Sequence, residues 1–188
     1  MNPVERSHKL KKEADDLLAK IDIETLCAPI GEITPTGSYF LDLMMYPDID
    51  LYLPPATPTQ LFNIVSHLAE NHPVMRVNFE RGGPGPLTNA LYIKPVIAVG
   101  NWERPWKIDI WAVDEAFIEE KTAELQTLAN KMSAEQRELI LEYKYAVLND
   151  KGRTPTFSGI YIYRAIIEEG IEDFAQITQF LREKGIAI

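Results

Sequence analysis

A chain of 188 residues is long enough for one well-buried α/β core with a modest extra element and short for two full-sized domains. Its formal charge of −9 repels a phosphate backbone and disfavours a long nucleic acid as substrate, and its ordinary hydrophobic and charged content excludes the disordered, collagenous and disulfide-rich classes. A single cysteine, Cys27, forms no internal disulfide, no run of about eighteen apolar residues offers a membrane span, and the polar start lacks a signal-peptide core, so a cytoplasmic protein is expected.

In chain order, Leu10, Ala14, Leu17, Leu18 and Ile21 recur at helical spacing, which predicts an amphipathic helix over residues 4–21. Residues 32–36 read as extended, and Gly37-Ser38 then opens an apolar stretch, residues 39–45, with a helical reading that Pro47 ends. Residues 48–53 alternate polar and apolar until Pro54-Pro55, as a half-buried strand does. A helix is expected from Thr59 until Asn71-His72-Pro73. Three further strands are expected over residues 74–80, 91–99 and 106–113, with Pro95 placing the middle one at an edge or a bulge.

Beyond Asp114 the pattern turns helical, with segments over residues 115–131, 133–148, 158–169 and 171–184 and a loop over 149–157. Ser133 and Gln136 have the spacing of a capping box. Strands and helices over residues 1–114, followed by helices alone over 115–188, read as one core with a C-terminal helical appendage.

The chemistry concentrates in Thr36-Gly37-Ser38, nine intervening residues, and Asp48-Ile49-Asp50-Leu51. Strand parity puts Asp48 and Asp50 on one face and Ile49 and Leu51 on the other. Adjacent carboxylates repel and are costly to bury, so the pair calls for a cation or an exposed surface. Mg²⁺ suits it, being a hard ion that takes one or two carboxylates plus water and phosphate oxygens. In Lys107-Ile108-Asp109-Ile110-Trp111, parity turns Asp109 away from the core together with Lys107 and Trp111. If the two strands are neighbours, three acids converge, able to hold Mg²⁺ against a triphosphate while Asp109 helps deprotonate an attacking hydroxyl. Gly37 allows close backbone approach to phosphate, and Ser38 adds a hydroxyl and an N–H.

Glycine-serine, a spacer, aspartate-x-aspartate in an apolar strand and a third aspartate on a later strand resemble the nucleotidyltransferase superfamily of DNA-polymerase-β-like fold, and within it the small antibiotic or protein nucleotidyltransferases. The likeness spans residues 32–114. It implies an α+β fold whose polymerase-β-like core over residues 1–114 is a mixed β-sheet flanked by helices, with Asp48, Asp50 and Asp109 as Mg²⁺ ligands, Asp109 also as base, and Gly37-Ser38 on the triphosphate. It further implies a nucleoside triphosphate donor, ATP above all, and an acceptor hydroxyl on a small molecule or a protein. A homodimer is among the arrangements it implies, with Lys144, Arg153, Ser158 and Tyr161 of the helical part as nucleotide contacts.

Plainer readings stand beside these. A lone Asp-x-Asp is often a solvated strand face, and Asp109 alone would pair with Lys107 or Lys94 at the surface. Lys144 and Arg153 read more simply as solvated charges. Trp102, Trp106 and Trp111 fit the core better than an acceptor pocket. His67 and His72 lack zinc-ligand spacing, and residues 81–86, without the lysine-serine ending of a phosphate loop, read as a hairpin connection. The rival from another class is a non-catalytic nucleotidyltransferase-like module, such as an antitoxin, that binds a partner through its helices; transfer to RNA ends is disfavoured by the acidic balance.

Overall fold

The computed structural model describes residues 1–83 and 87–188. The chain opens with α1 (Pro3–Lys20), α2 (Ile23–Cys27), β1 (Thr34–Thr36), α3 (Gly37–Phe40) and β2 (Asp48–Leu53). It continues with α4 (Pro58–Asn71), β3 (Val74–Arg81), β4 (Leu91–Ile97) and β5 (Trp106–Ala112), then α5 (Glu115–Lys131), α6 (Ala134–Ala146), α7 (Ser158–Tyr163) and α8 (Phe174–Glu183). The architecture is α+β, with a mixed five-stranded sheet in the order β1-β2-β5-β4-β3 flanked by helices. Only β2 and β5 run parallel, side by side in its middle.

Strand parity sorts the two faces. Ile49, Leu51 and Leu53 of β2 join Ile108, Ile110 and Ala112 of β5 and Ile93 and Ile97 of β4 in one apolar cluster with α1, α2 and α4. Capping boxes start the helices on both sides: Asn2 with Glu5 at α1, Thr57 with Gln60 at α4, and the expected Ser133 with Gln136 at α6. A second apolar cluster joins Leu41, Leu43 and Met45 to residues of α5 through α8.

That second cluster corrects one expectation. Residues 39–45 do not continue as a helix, because α3 is a single turn and Asp42 follows it at φ 54°. Leu41, Leu43 and Met45 turn into the second cluster while Met44 turns into the first, so this irregular segment is buried against both. A run that is apolar apart from Asp42 gives no period to distinguish the alternatives.

Pro95 is the second correction. It lies inside the sheet, since β4 sits between β5 and β3; the pairing of β4 with β5 lapses at Lys94 and Pro95, where proline has no N–H to donate, and the register shift falls on β3 between Val74 and Arg76. The helix expected over 158–169 changes at Arg164 into one π-helical turn, Arg164–Glu168. The last helix begins only at Phe174, after Gly170 at φ 65° and with Asp173 as its cap. β3 and β4 are antiparallel neighbours, in keeping with a hairpin connection over 81–86, of which residues 84–86 lie outside the described ones. No described helix is long and apolar enough to cross a membrane.

Gly37 joins β1 to α3 at φ 60°, and a Cβ built there would stand 2.6 Å from Asp50 Oδ2. Left-handed backbone costs an L-residue about 1–2 kcal/mol, and the clash adds to it. Gly37→Ala should therefore lower unfolding free energy in a urea titration by about 2 kcal/mol or more. An unchanged midpoint would refute this account of the glycine.

Candidate metal centre

The parallel register of β2 on β5 sets Asp50 opposite Asp109 and Asp48 opposite Lys107. One carboxylate oxygen from each of Asp48, Asp50 and Asp109 lies within 4.8 Å of the other two. The neighbouring strands supply the convergence on which the sequence argument was conditional. Among the described residues, this is the one cluster of three acidic, histidine or cysteine ligands at such spacing, and neither His67 nor His72 belongs to it.

Asp48 and Asp109 are buried, 7% and 8% exposed, and Asp50 between them is half-buried, so the solvated-face reading does not describe the trio. The Lys107 ammonium sits between those two, 2.8 Å from Asp48 Oδ1 and 2.7 Å from Asp109 Oδ2, which makes it the partner of Asp109 in a buried pair rather than a surface one. Lys94 instead lies over the Tyr92 ring. The Tyr92 hydroxyl donates to Asp109 Oδ1 at 2.6 Å. The approach of Lys107 to Asp48 Oδ1 is a charge contact without hydrogen-bond geometry, and that oxygen is buried with no hydrogen-bond donor.

One ammonium does not balance three carboxylates. Burial raises the Asp48 pKa from its ordinary 3.8 to about 6; Lys107 opposes the rise and the Asp109 charge adds to it. Asp50 is pushed well above the carboxylate range by burial first, then by Asp48 and Asp109. Burial alone would lower Lys107, yet the Asp48 and Asp109 charges hold it above an ordinary lysine. Buried acidic oxygens, one of them lacking a donor, with surplus negative charge form a donor set that fits a divalent cation.

Beside the acids lies a cavity of about 440 Å³. It is lined by Gly37, Ser38, Asp48 and Asp50 together with Lys121 and Glu124 of α5, Lys144 of α6, Tyr161 and Tyr163 of α7, and Arg164. Gly37, Ser38, Lys144 and Tyr161 are thus brought together with Asp48 and Asp50.

Lys144 is no solvated charge. It is 2% exposed, its ammonium donates to the Leu43 carbonyl and, at 3.1 Å, to the Tyr163 hydroxyl, and burial brings its pKa down to about 7 against the pull of Asp48 and Asp50. Ser158 does not reach the cavity, because its hydroxyl donates to the Pro155 carbonyl at 2.7 Å and closes the turn before α7. Arg153 donates to Thr156 outside the cavity. Trp106 is core and Trp102 packs against it, whereas Trp111 shares the face of Asp109, its ring 4.3 Å from that of Tyr92.

Several site residues escaped the sequence reading. Lys107 was placed on the acid face by parity, but its bridging position needed the register with β2. Tyr92, Lys121, Glu124 and Arg164 carry no motif; Glu124 binds Lys121 at 2.9 Å and also Arg164, holding two cations in the cavity lining. Compared with known proteins, the sequence matches no protein-family model and no curated protein.

The acids make stability depend on pH. With its folded pKa above its unfolded one, Asp48 adds no penalty below about pH 4, where both states are protonated; the penalty grows as pH rises through about 6. Without divalent ions, wild-type unfolding free energy should therefore fall, relative to Asp48→Asn, by about 2 kcal/mol between pH 4 and 7. Parallel profiles for the two proteins in chemical denaturation would refute this.

Proposed function

We propose that this chain is a nucleotidyltransferase of polymerase-β-like fold, moving a nucleoside monophosphate from a triphosphate, ATP in the first instance, to a hydroxyl of a small molecule or a protein. The observation that carries the reading is the meeting of Asp48, Asp50 and Asp109 within 4.8 Å at the edge of a cavity walled by Gly37-Ser38. A fold of many uses does not select a reaction, and this reading rests on the site.

Asp48, Asp50 and Asp109 would hold Mg²⁺, which when bound offsets the charge of the phosphate oxygens. Gly37 leaves room for phosphate against the backbone, and Ser38 offers its hydroxyl and N–H. Lys121 and Arg164 line the same cavity and attract the same anionic tail. Asp109 does not line the cavity and stands beyond it toward Tyr92 and Trp111, so the acceptor approaches from that side. The acceptor oxygen passes its proton to Asp109 and bonds to the α-phosphorus; the bond from that phosphorus to the β-phosphate oxygen breaks, and pyrophosphate leaves. Lys107 has to release Asp109 for the carboxylate to take the proton, since its ammonium occupies Oδ2.

Lys107 also favours a second reading, a non-catalytic module of the same fold in which the lysine has replaced the cation for good. The two part on one set of measurements. With Mg²⁺ and α-labelled triphosphates, the enzyme releases pyrophosphate and Asp48→Asn or Asp50→Asn lowers the rate about a hundredfold or more. Lys107→Met, which frees both carboxylates, should then tighten Mg²⁺ binding in calorimetry. No Mg²⁺-dependent triphosphate binding in either wild type or Lys107→Met would leave the module as the answer.

A further inference from the structure

β3 ends the sheet, and among the described residues it pairs with β4 alone, leaving an eight-residue strand with one free edge. Such an edge is a template for another strand. Its backbone phase is fixed: Gly82 N–H donates to the Ala90 carbonyl at 2.8 Å, so Glu80, Asn78 and Arg76, at two-residue steps, turn their N–H and C=O toward β4. Val77 and Phe79 therefore turn theirs outward. The same phase leaves Pro95, opposite Val77, free of any duty to donate to β3.

From this edge we infer that two copies of the chain associate by antiparallel pairing of β3 with β3, about a twofold axis through Asn78, giving one continuous sheet. In that register Val77 of each copy opposes Phe79 of the other, and both residues have outward-facing backbone groups, so these are the hydrogen-bonded pairs. Arg76 then opposes Glu80 of the second copy, twice by symmetry, in the non-hydrogen-bonded positions where side chains come closest. A shift of one residue along the partner breaks both matches.

Two observations converge on this occupant. Phe62 of α4 packs its ring 4.9 Å from that of Phe79 yet stays 47% exposed, so apolar surface flanks the edge where Val77 and Phe79 of the second copy arrive. The charge is favourable as well. A chain of −9 repels its copy on average, whereas the strand itself carries Arg76 and Arg81 against Glu80. A strand from an unrelated acidic or basic partner would gain no such reciprocal match.

Sedimentation velocity of the full chain over a concentration series tests the pairing, with far-ultraviolet circular dichroism melts reporting that each variant is folded. Wild type should dimerise reversibly. Arg76→Glu and Glu80→Arg, each setting like charges opposite one another twice, should weaken the dimer about tenfold or more. The double reversal restores the pairs and should return the dimer to near wild-type affinity. A wild type monomeric at every concentration overturns the proposal. So do folded single variants that dimerise as wild type does, or a folded double variant no better than the singles.

Discussion

Like charges are forced together at the centre of this molecule, and most of the surrounding structure exists in relation to that repulsion. β2 and β5 lie side by side with Asp50 opposite Asp109, a pairing that two isolated strands would avoid. What imposes it is the other face of the same strands. Ile49, Leu51, Leu53, Ile108 and Ile110 are fully buried, and each such side chain contributes about 1.5–3 kcal/mol on leaving water. A slip of one residue would put the acids on the core side in place of the isoleucines, so the apolar face fixes the register and the acids have to accept it. Lys107 and Tyr92 then relieve part of the repulsion from within the sheet.

The run into β2 is anchored from the first helix. Arg6 of α1 donates from Nε to the Met45 carbonyl at 2.8 Å and grips Glu103 with both terminal nitrogens, at 2.9 and 2.7 Å. That clamp ties together α1, the segment before Asp48 and the loop before β5. The Arg6 guanidinium in turn holds Glu103 down at about 2, against a smaller effect of burial in the other direction. Lys144 reaches into the same segment from α6, donating to the Leu43 carbonyl. The strands that carry the acids and the helices that wall the cavity therefore share contacts at residues 41–47, and a displacement of either is felt by the other.

The acids were legible because a strand has a period of two and Asp-x-Asp states its face outright. Asp109 was legible in parity and only conditional in position, since strand order is a long-range property that no local window contains. Gly37-Ser38 was readable from its place before a strand carrying acids. Lys144 was misjudged as a solvated charge for the opposite reason: a lysine on an amphipathic helix looks the same whether its neighbours are water or Tyr163 and the Leu43 carbonyl. Lys121 and Arg164 come from separate elements and become one feature only through Glu124. The single π-helical turn that carries Arg164 left no mark in the sequence pattern.

Net charge and local charge also separate here. At −9 the chain as a whole repels a long polyanion, whose phosphates sample the entire surface. A mononucleotide triphosphate is shorter than that and meets only what lies within a screening length of about 8 Å. Inside the cavity that neighbourhood contains Lys121, Lys144 and Arg164 set against Asp48, Asp50 and Glu124, with Lys107 and Asp109 paired just beyond. The basic groups thus gather where the acids do. An acidic composition therefore argues against a polymer substrate while leaving a small phosphate ester with a locally balanced site.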